Sequence, residues 1–178
     1  LPGDSLTTLP RNTGTGRSYG GEIIVQRLFS DDGSPLHGWA SYAYGHATRE
    51  RQGWTYPFDF DRRHAAHLAL GYRCASWLDI NVSFTYGSGF PTTPPIGFRP
   101  RIFQIQDSLT GTVAPTLDAD WRGVVFITDR GGLRNLNSGR LPDYVRLDFR
   151  ATTYVSWFGW EWSLYLDVMN VTNHRNVA

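Results

Sequence analysis

The sequence predicts an all-β fold, an antiparallel up-and-down transmembrane β-barrel segment. Three observations predict it. Apolar residues recur with a period of two, the alternating runs are about 8–11 residues long, and the connections between them are short and long in turn. A period of two puts apolar side chains on one face of a strand and polar ones on the other. Runs of this length suit a tilted strand that crosses a membrane and exceed the usual soluble strand of about 5–6 residues.

Strand one covers residues 19–29, with Ile23, Val25 and Phe29 against Glu22, Ile24 and Gln26, and with Arg27 interrupting the apolar row. Strand two, 38–46, sets Ala40, Tyr42 and Tyr44 against Trp39, Ser41 and Ala43. Strand three, 64–73, sets Ala66, Leu68, Leu70 and Tyr72 against Ala65, His67, Ala69 and Arg73. Strand four, 77–86, is the clearest: Leu78, Ile80, Val82, Phe84 and Tyr86 oppose Asp79, Asn81, Ser83 and Thr85. Strand five, 144–151, sets Val145, Leu147, Phe149 and Ala151 against Tyr144, Arg146, Asp148 and Arg150. Strand six, 160–168, sets Trp160, Trp162, Leu164, Leu166 and Val168 against Glu161, Ser163, Tyr165 and Asp167. No amphipathic helix is evident.

Short turns at 30–37, 74–76 and 155–159 are expected at one end of the sheet, with long loops at 47–63 and 87–141 at the other. The last spans about 55 residues, unusual for a compact soluble domain; short turns opposite long loops are the habit of outer-membrane barrels. Within it, residues 112–114 and 123–128 read as a small hairpin. Trp39, Trp77, Trp157, Phe158 and Trp160 fall beside the short turns, and Tyr44, Tyr86 and Tyr144 towards the long loops. Two aromatic belts are expected where a barrel meets two membrane interfaces, although Trp and Tyr also seal soluble β cores.

Composition narrows the function. The 178 residues make one domain or a piece of one, and the opening Leu1-Pro2-Gly3-Asp4 suggests a processed chain or a fragment. All 17 basic residues are arginine, and against 16 acids they leave a net charge of +1. A near-neutral chain without a basic block argues against nucleic acid as a partner. No lysine is present for Schiff-base chemistry. One cysteine, Cys74, excludes an internal disulfide, and beside a short turn it reads as a small buried or interfacial residue. His64 and His67 are three apart and face opposite sides of a strand, so no metal site is expected from them. The glycines at 14, 16, 20 and 21 precede a strand, not a helix, and read as turn glycines. No catalytic residue and no cofactor are assigned.

Two groups of residues stand out as functional candidates. The long loop carries Arg99, Arg101, Phe103, Trp121, Arg122, Arg130 and Arg134. Arginine beside aromatics offers charge and stacking surface to a ligand, while a loop of this length can also simply gate or fold inward. The polar row Arg146, Asp148, Arg150, Glu161 and Asp167 is expected along the inner wall, pairing across strands five and six. That row serves as a hydrated wall ladder or as a contact for a plug or a passing substrate.

Several segments resemble, in order and spacing, the C-terminal part of the barrel of TonB-dependent outer-membrane receptors. They are Asn12-Thr13-Gly14-Thr15-Gly16-Arg17-Ser18-Tyr19-Gly20-Gly21-Glu22, Gly38-Trp39-Ala40-Ser41-Tyr42-Ala43-Tyr44, Asp61-Arg62-Arg63-His64, Ser88-Gly89-Phe90-Pro91-Thr92 and Arg140-Leu141-Pro142-Asp143-Tyr144-Val145-Arg146-Leu147-Asp148. The run from Leu164 to Asn176 is similar to that family's penultimate strand and its Asn-rich exit. Arg63 stands where the family commonly has Pro. No one motif is specific; the case lies in their succession from Asn12 to Asn176.

The resemblance implies that residues 1–178 are about six strands, roughly the sixteenth to twenty-first, of a barrel of about 22 strands. It also implies a plug domain and a last strand outside this sequence. The implied partners are outer-membrane lipid, the plug of the same full-length chain, the TonB energy-transducing complex and an unknown small ligand such as an iron chelate, cobalamin or oligosaccharide. The implied place is the outer membrane of a Gram-negative cell. The competing readings are a soluble β-barrel or sandwich that binds a small molecule, and a secreted β-rich hydrolase; the last is weakest, since no acid–base pair or triad stands out.

Overall fold

The computed structural model describes residues 14–28, 34–106, 111–120 and 122–177. The chain is all-β, built from antiparallel pairs. Six long strands form the main sheet: β1 (Thr15–Arg27), β2 (Leu36–Arg51), β3 (His64–Ala75), β4 (Leu78–Gly87), β5 (Tyr144–Trp157) and β6 (Trp160–Val168). Their order in the sheet is their order in the chain, so every neighbour is the next long strand. This is the expected up-and-down meander. The sheet stays open, because β1 and β6 lie at its two edges and do not pair with each other.

Register explains the alternation. Ile23 lies opposite Tyr42, Tyr42 opposite Ala66, Ala66 opposite Tyr86, and Tyr86 opposite Val145. Two rows further down, Leu70 meets Val82, Val82 meets Phe149, and Phe149 meets Val168. Because the side-chain period is two, each such row stays on one face across the sheet. The result is one continuous apolar face and one polar face. Among the described residues no apolar side chain is buried, and on this face Ile23, Val25, Leu164 and Leu166 are each more than half exposed.

The short connections share one end. Arg27 pairs with Gly38, Leu36 with Tyr72, Ala75 with Leu78, and Trp157 with Trp160. Residues 29–33 of the first turn lie outside the described residues. The turn expected over 155–159 narrows to Phe158-Gly159, both with positive φ (52° and 76°), so the strand runs on to Trp157. Positive φ at both central positions matches the right-handed twist of the flanking strands. Cys74 is the extra residue of a register shift between Arg73 and Ala75, and it is exposed there, which removes the buried alternative of the two expected for it.

The aromatic belts need revision in the same way. Trp157, Trp160, Trp162 and Tyr72 lie in the apolar rows, as do Tyr44 and Tyr86 at the far end. Trp39 pairs with Gln26 and Ala69 on the polar face, and Tyr144 belongs to the polar row too.

The long loops are folded. Strand β2 continues to Arg51, turns through Gln52-Gly53 and pairs back with Trp54–Pro57. Residues 87–141 form an arm. Its base is Pro91–Thr92 paired with Gly139–Arg140, followed by Gly97–Pro100 paired with Phe126–Asp129. Two further hairpins, Ile102–Gln106 with Val113–Leu117 and Ala119–Asp120 with Gly123–Val124, make the tip. The hairpin expected between 112–114 and 123–128 is therefore absent, because each stretch pairs with a different partner.

Candidate functional site

The polar face bends around a hollow of about 690 Å³ lined from all of β2 to β6. Arg146 Nε donates to Asp148 Oδ1 at 2.8 Å, two residues along the same face of β5. Arg150 Nη2 reaches Asp167 Oδ2 at 2.5 Å on the paired strand, where the two are direct register partners. The Arg150 guanidinium also lies 5.2 Å from the ring centre of Tyr165. The structure thus brings four of the five wall residues into the hollow or its border. Glu161 is apart, opposite Ser156 near the short turn. Sequence reasoning missed a third pair: Arg73 Nε donates to Asp79 Oδ1 at 3.0 Å, with the Tyr154 hydroxyl on Asp79 Oδ2 at 3.3 Å. Its signal was present, since Asp79 and Arg73 stand in the polar rows of adjacent strands.

The loop candidates are spread along the arm. Arg101 pairs with Asp118 (Nε to Oδ2, 2.6 Å) and lies 5.3 Å from the Phe103 ring centre. Arg130 donates to the Thr93 carbonyl at 2.6 Å. Arg134 stacks 4.7 Å from the ring centre of Trp54 and so ties the arm to the β2 extension. Arg99 is exposed on Gly97–Pro100, and Arg122 is exposed where its backbone N–H donates to Asp120 Oδ1 at 2.7 Å. Trp121 lies outside the described residues. The arginines thus do not converge on one site.

A buried polar knot where the loops leave the sheet was not foreseen. Asp61 is 1% exposed. Its carboxylate accepts from the Ala47 N–H (2.6 Å), Arg63 Nε (2.8 Å) and Arg140 Nη2 (2.5 Å). Arg140 Nη1 also donates to the carbonyls of Asp61 and Gly89. Burial alone would raise the Asp61 carboxyl, but the bonds from Arg63, Ala47 and Arg140 outweigh it and hold the group below the ordinary carboxylate range. Nearby, Asp143 accepts from the Tyr86 hydroxyl (2.8 Å) and the Gly89 N–H (3.0 Å), which together hold it low as well. The buried Asn137 donates to the Pro57 carbonyl and to Asp59 Oδ1, and its N–H donates to the Thr93 hydroxyl. The arm is therefore bolted to the wall by charge-assisted bonds at its root. The partners are up to 80 positions apart, so spacing could not announce them.

Compared with known proteins, the chain matches no family model, no curated protein and no solved structure.

Proposed function

We propose that this chain is part of the wall of a TonB-dependent outer-membrane receptor, about six strands of a barrel of about 22, in the envelope of a Gram-negative cell. The observation that carries the reading is the apolar face. It runs in register across six strands and stands uncovered, and among the described residues no apolar core lies behind it. In water an exposed apolar face of this kind drives association. Against lipid it is the solvated face, and the polar face with its ion pairs lines a wet lumen. The open edges of β1 and β6 then pair with neighbouring strands of the same barrel, as strands in lipid require.

In this reading the chain performs no reaction. The wall holds the arm and the plug in place while the energy-transducing complex, acting through other parts of the receptor, drives uptake of a scarce small ligand. The test is accumulation by whole cells of ferric chelates, cobalamin and oligosaccharides, with and without an uncoupler of the inner membrane. Surface binding of one class that survives the uncoupler, with accumulation that does not, supports the reading. Accumulation indifferent to both the uncoupler and the receptor's deletion contradicts it.

A further inference from the structure

Arg62 is the arginine whose guanidinium carries a buried, unsatisfied nitrogen among the described residues. Its side chain makes no hydrogen bond or ion pair among the described residues, and its Nε is buried without an acceptor. Buried polar atoms are normally satisfied, and an orphan one asks for a partner. The acids at the loop bases are already engaged. Asp61 holds Arg63 and Arg140, Asp143 holds the Tyr86 hydroxyl and the Gly89 N–H, and Asp59 holds Asn137.

The guanidinium is also held in place. It lies 4.3 Å from the ring centre of Phe90, and it covers Gly87 so closely that a Cβ there would meet Nη1 at 2.7 Å. Gly87 belongs to the polar row of β4 and pairs with Tyr144, so Arg62 sits at the lumen side of the wall, at the long-loop end. Beside it is a cavity of about 150 Å³ lined by Ser88, Phe90, Leu141, Tyr144 and Asn176 among others. That volume admits one small polar group and not a whole ligand. A guanidinium with unused donors is complementary to a carboxylate or phosphate, and the neighbouring Ser88 and Asn176 side chains are already tied to the His64 N–H and the Val145 backbone.

We infer that Arg62 is an oxyanion-capturing residue, which takes a carboxylate or phosphate group of the transported ligand at the mouth of the barrel. The inference rests on the uptake reading for its ligand, but its measurement does not. The same chemistry could come from a carboxylate elsewhere in the full-length receptor, and the experiment separates the two sources.

Inorganic phosphate and acetate are titrated calorimetrically into the purified full-length receptor and into Arg62→Gln, Gly87→Ala and Arg17→Gln. Gly87→Ala keeps the guanidinium but removes its seat, at a position with ordinary backbone φ, and so tests the geometry even where Arg62→Gln folds poorly. One saturable site for at least one anion is expected. It should weaken about tenfold or more in Arg62→Gln and Gly87→Ala, and stay unchanged in Arg17→Gln, an exposed arginine of β1. Saturable binding that both variants leave intact overturns the assignment. So does a receptor that binds neither anion while Arg62→Gln lowers its melting temperature, because the guanidinium is then held by an internal carboxylate. Heat-modifiable migration of the same samples reports on the barrel separately, so failure of the anion site is not confused with failure of the membrane reading.

Discussion

Asp61 draws donors from three parts of the chain: the Ala47 N–H in β2, Arg63 just before β3, and Arg140 at the root of the arm. Asp61→Asn keeps the shape and removes the charge that all three donors address. It should cost about 2 kcal/mol of stability, the scale of hydrogen bonds to a charged group. Denaturant unfolding of the assembled receptor measures it, and a loss under about 0.5 kcal/mol, the scale of an ordinary surface change, would remove Asp61 from this role. The pH dependence has a definite sign. The folded carboxyl titrates below its unfolded value, so its stabilisation is present above about pH 4 and is lost as pH falls through the lower folded pKa. Protease protection of the arm root should therefore fade in acid in the parent and change less over the same range in Asp61→Asn. At this scale the sequence was only half legible. Asp61 and Arg62 both stood inside a recognised motif, but the partner of one and the isolation of the other depend on loops that meet only in three dimensions.

The strands were legible where packing follows the period of two. All six long strands appear in order, with Phe84 opposite Leu147, Val82 opposite Phe149 and Ile80 opposite Ala151 on the apolar face, as the alternation requires. Their ends were harder. The tip of β2, Arg49-Glu50-Arg51, is charged on both faces, so no alternation marks it. Thr152 and Thr153 blur the pattern in β5 before it ends at Trp157. The arm was read as a loop because its strands are two to five residues long and its root pairs segments far apart in sequence. Two predictions belong to elements. An arginine at Val82 or Leu164, on the apolar face, should cost about 2–4 kcal/mol of barrel stability if placed near mid-membrane; unfolding from lipid vesicles gives the value, and a variant as stable as the parent would place that face in water. Excising residues 97–129 while keeping the bolted root should leave heat-modifiable folding intact, because no main-sheet hydrogen bond depends on the arm tip. Whole-cell ligand binding should be lost in the same variant; normal binding would move the capture surface to the β2 extension or the plug.

At the scale of the whole molecule the sheet is unfinished. β1 is exposed along its entire length and β6 likewise, and edges of that length invite pairing. The chain does protect one stretch. Beyond β6, the Val171 N–H donates to the Leu147 carbonyl, and the Asn176 side chain both accepts from the Val145 N–H (2.8 Å) and donates to its carbonyl (2.9 Å). One amide thus stands in for a strand and finishes the upper edge of β5. This gives the Asn-rich exit a physical task that its composition alone did not reveal. In the proposed barrel, neighbouring strands would cover the rest of both edges and lipid would cover the apolar face.

The central claim is that the alternating rows face lipid and water respectively, and site-directed spin labelling tests it most directly. With Cys74 replaced by Ser, single cysteines are placed from Ile80 to Phe84 in the full-length receptor, labelled, and reconstituted in lipid. The account predicts that labels at 80, 82 and 84 collide readily with oxygen and poorly with a water-soluble nickel complex, while labels at 81 and 83 do the reverse. Equal protection of both sets from oxygen and nickel, as in a closed soluble core, or an alternation of opposite phase, would contradict it.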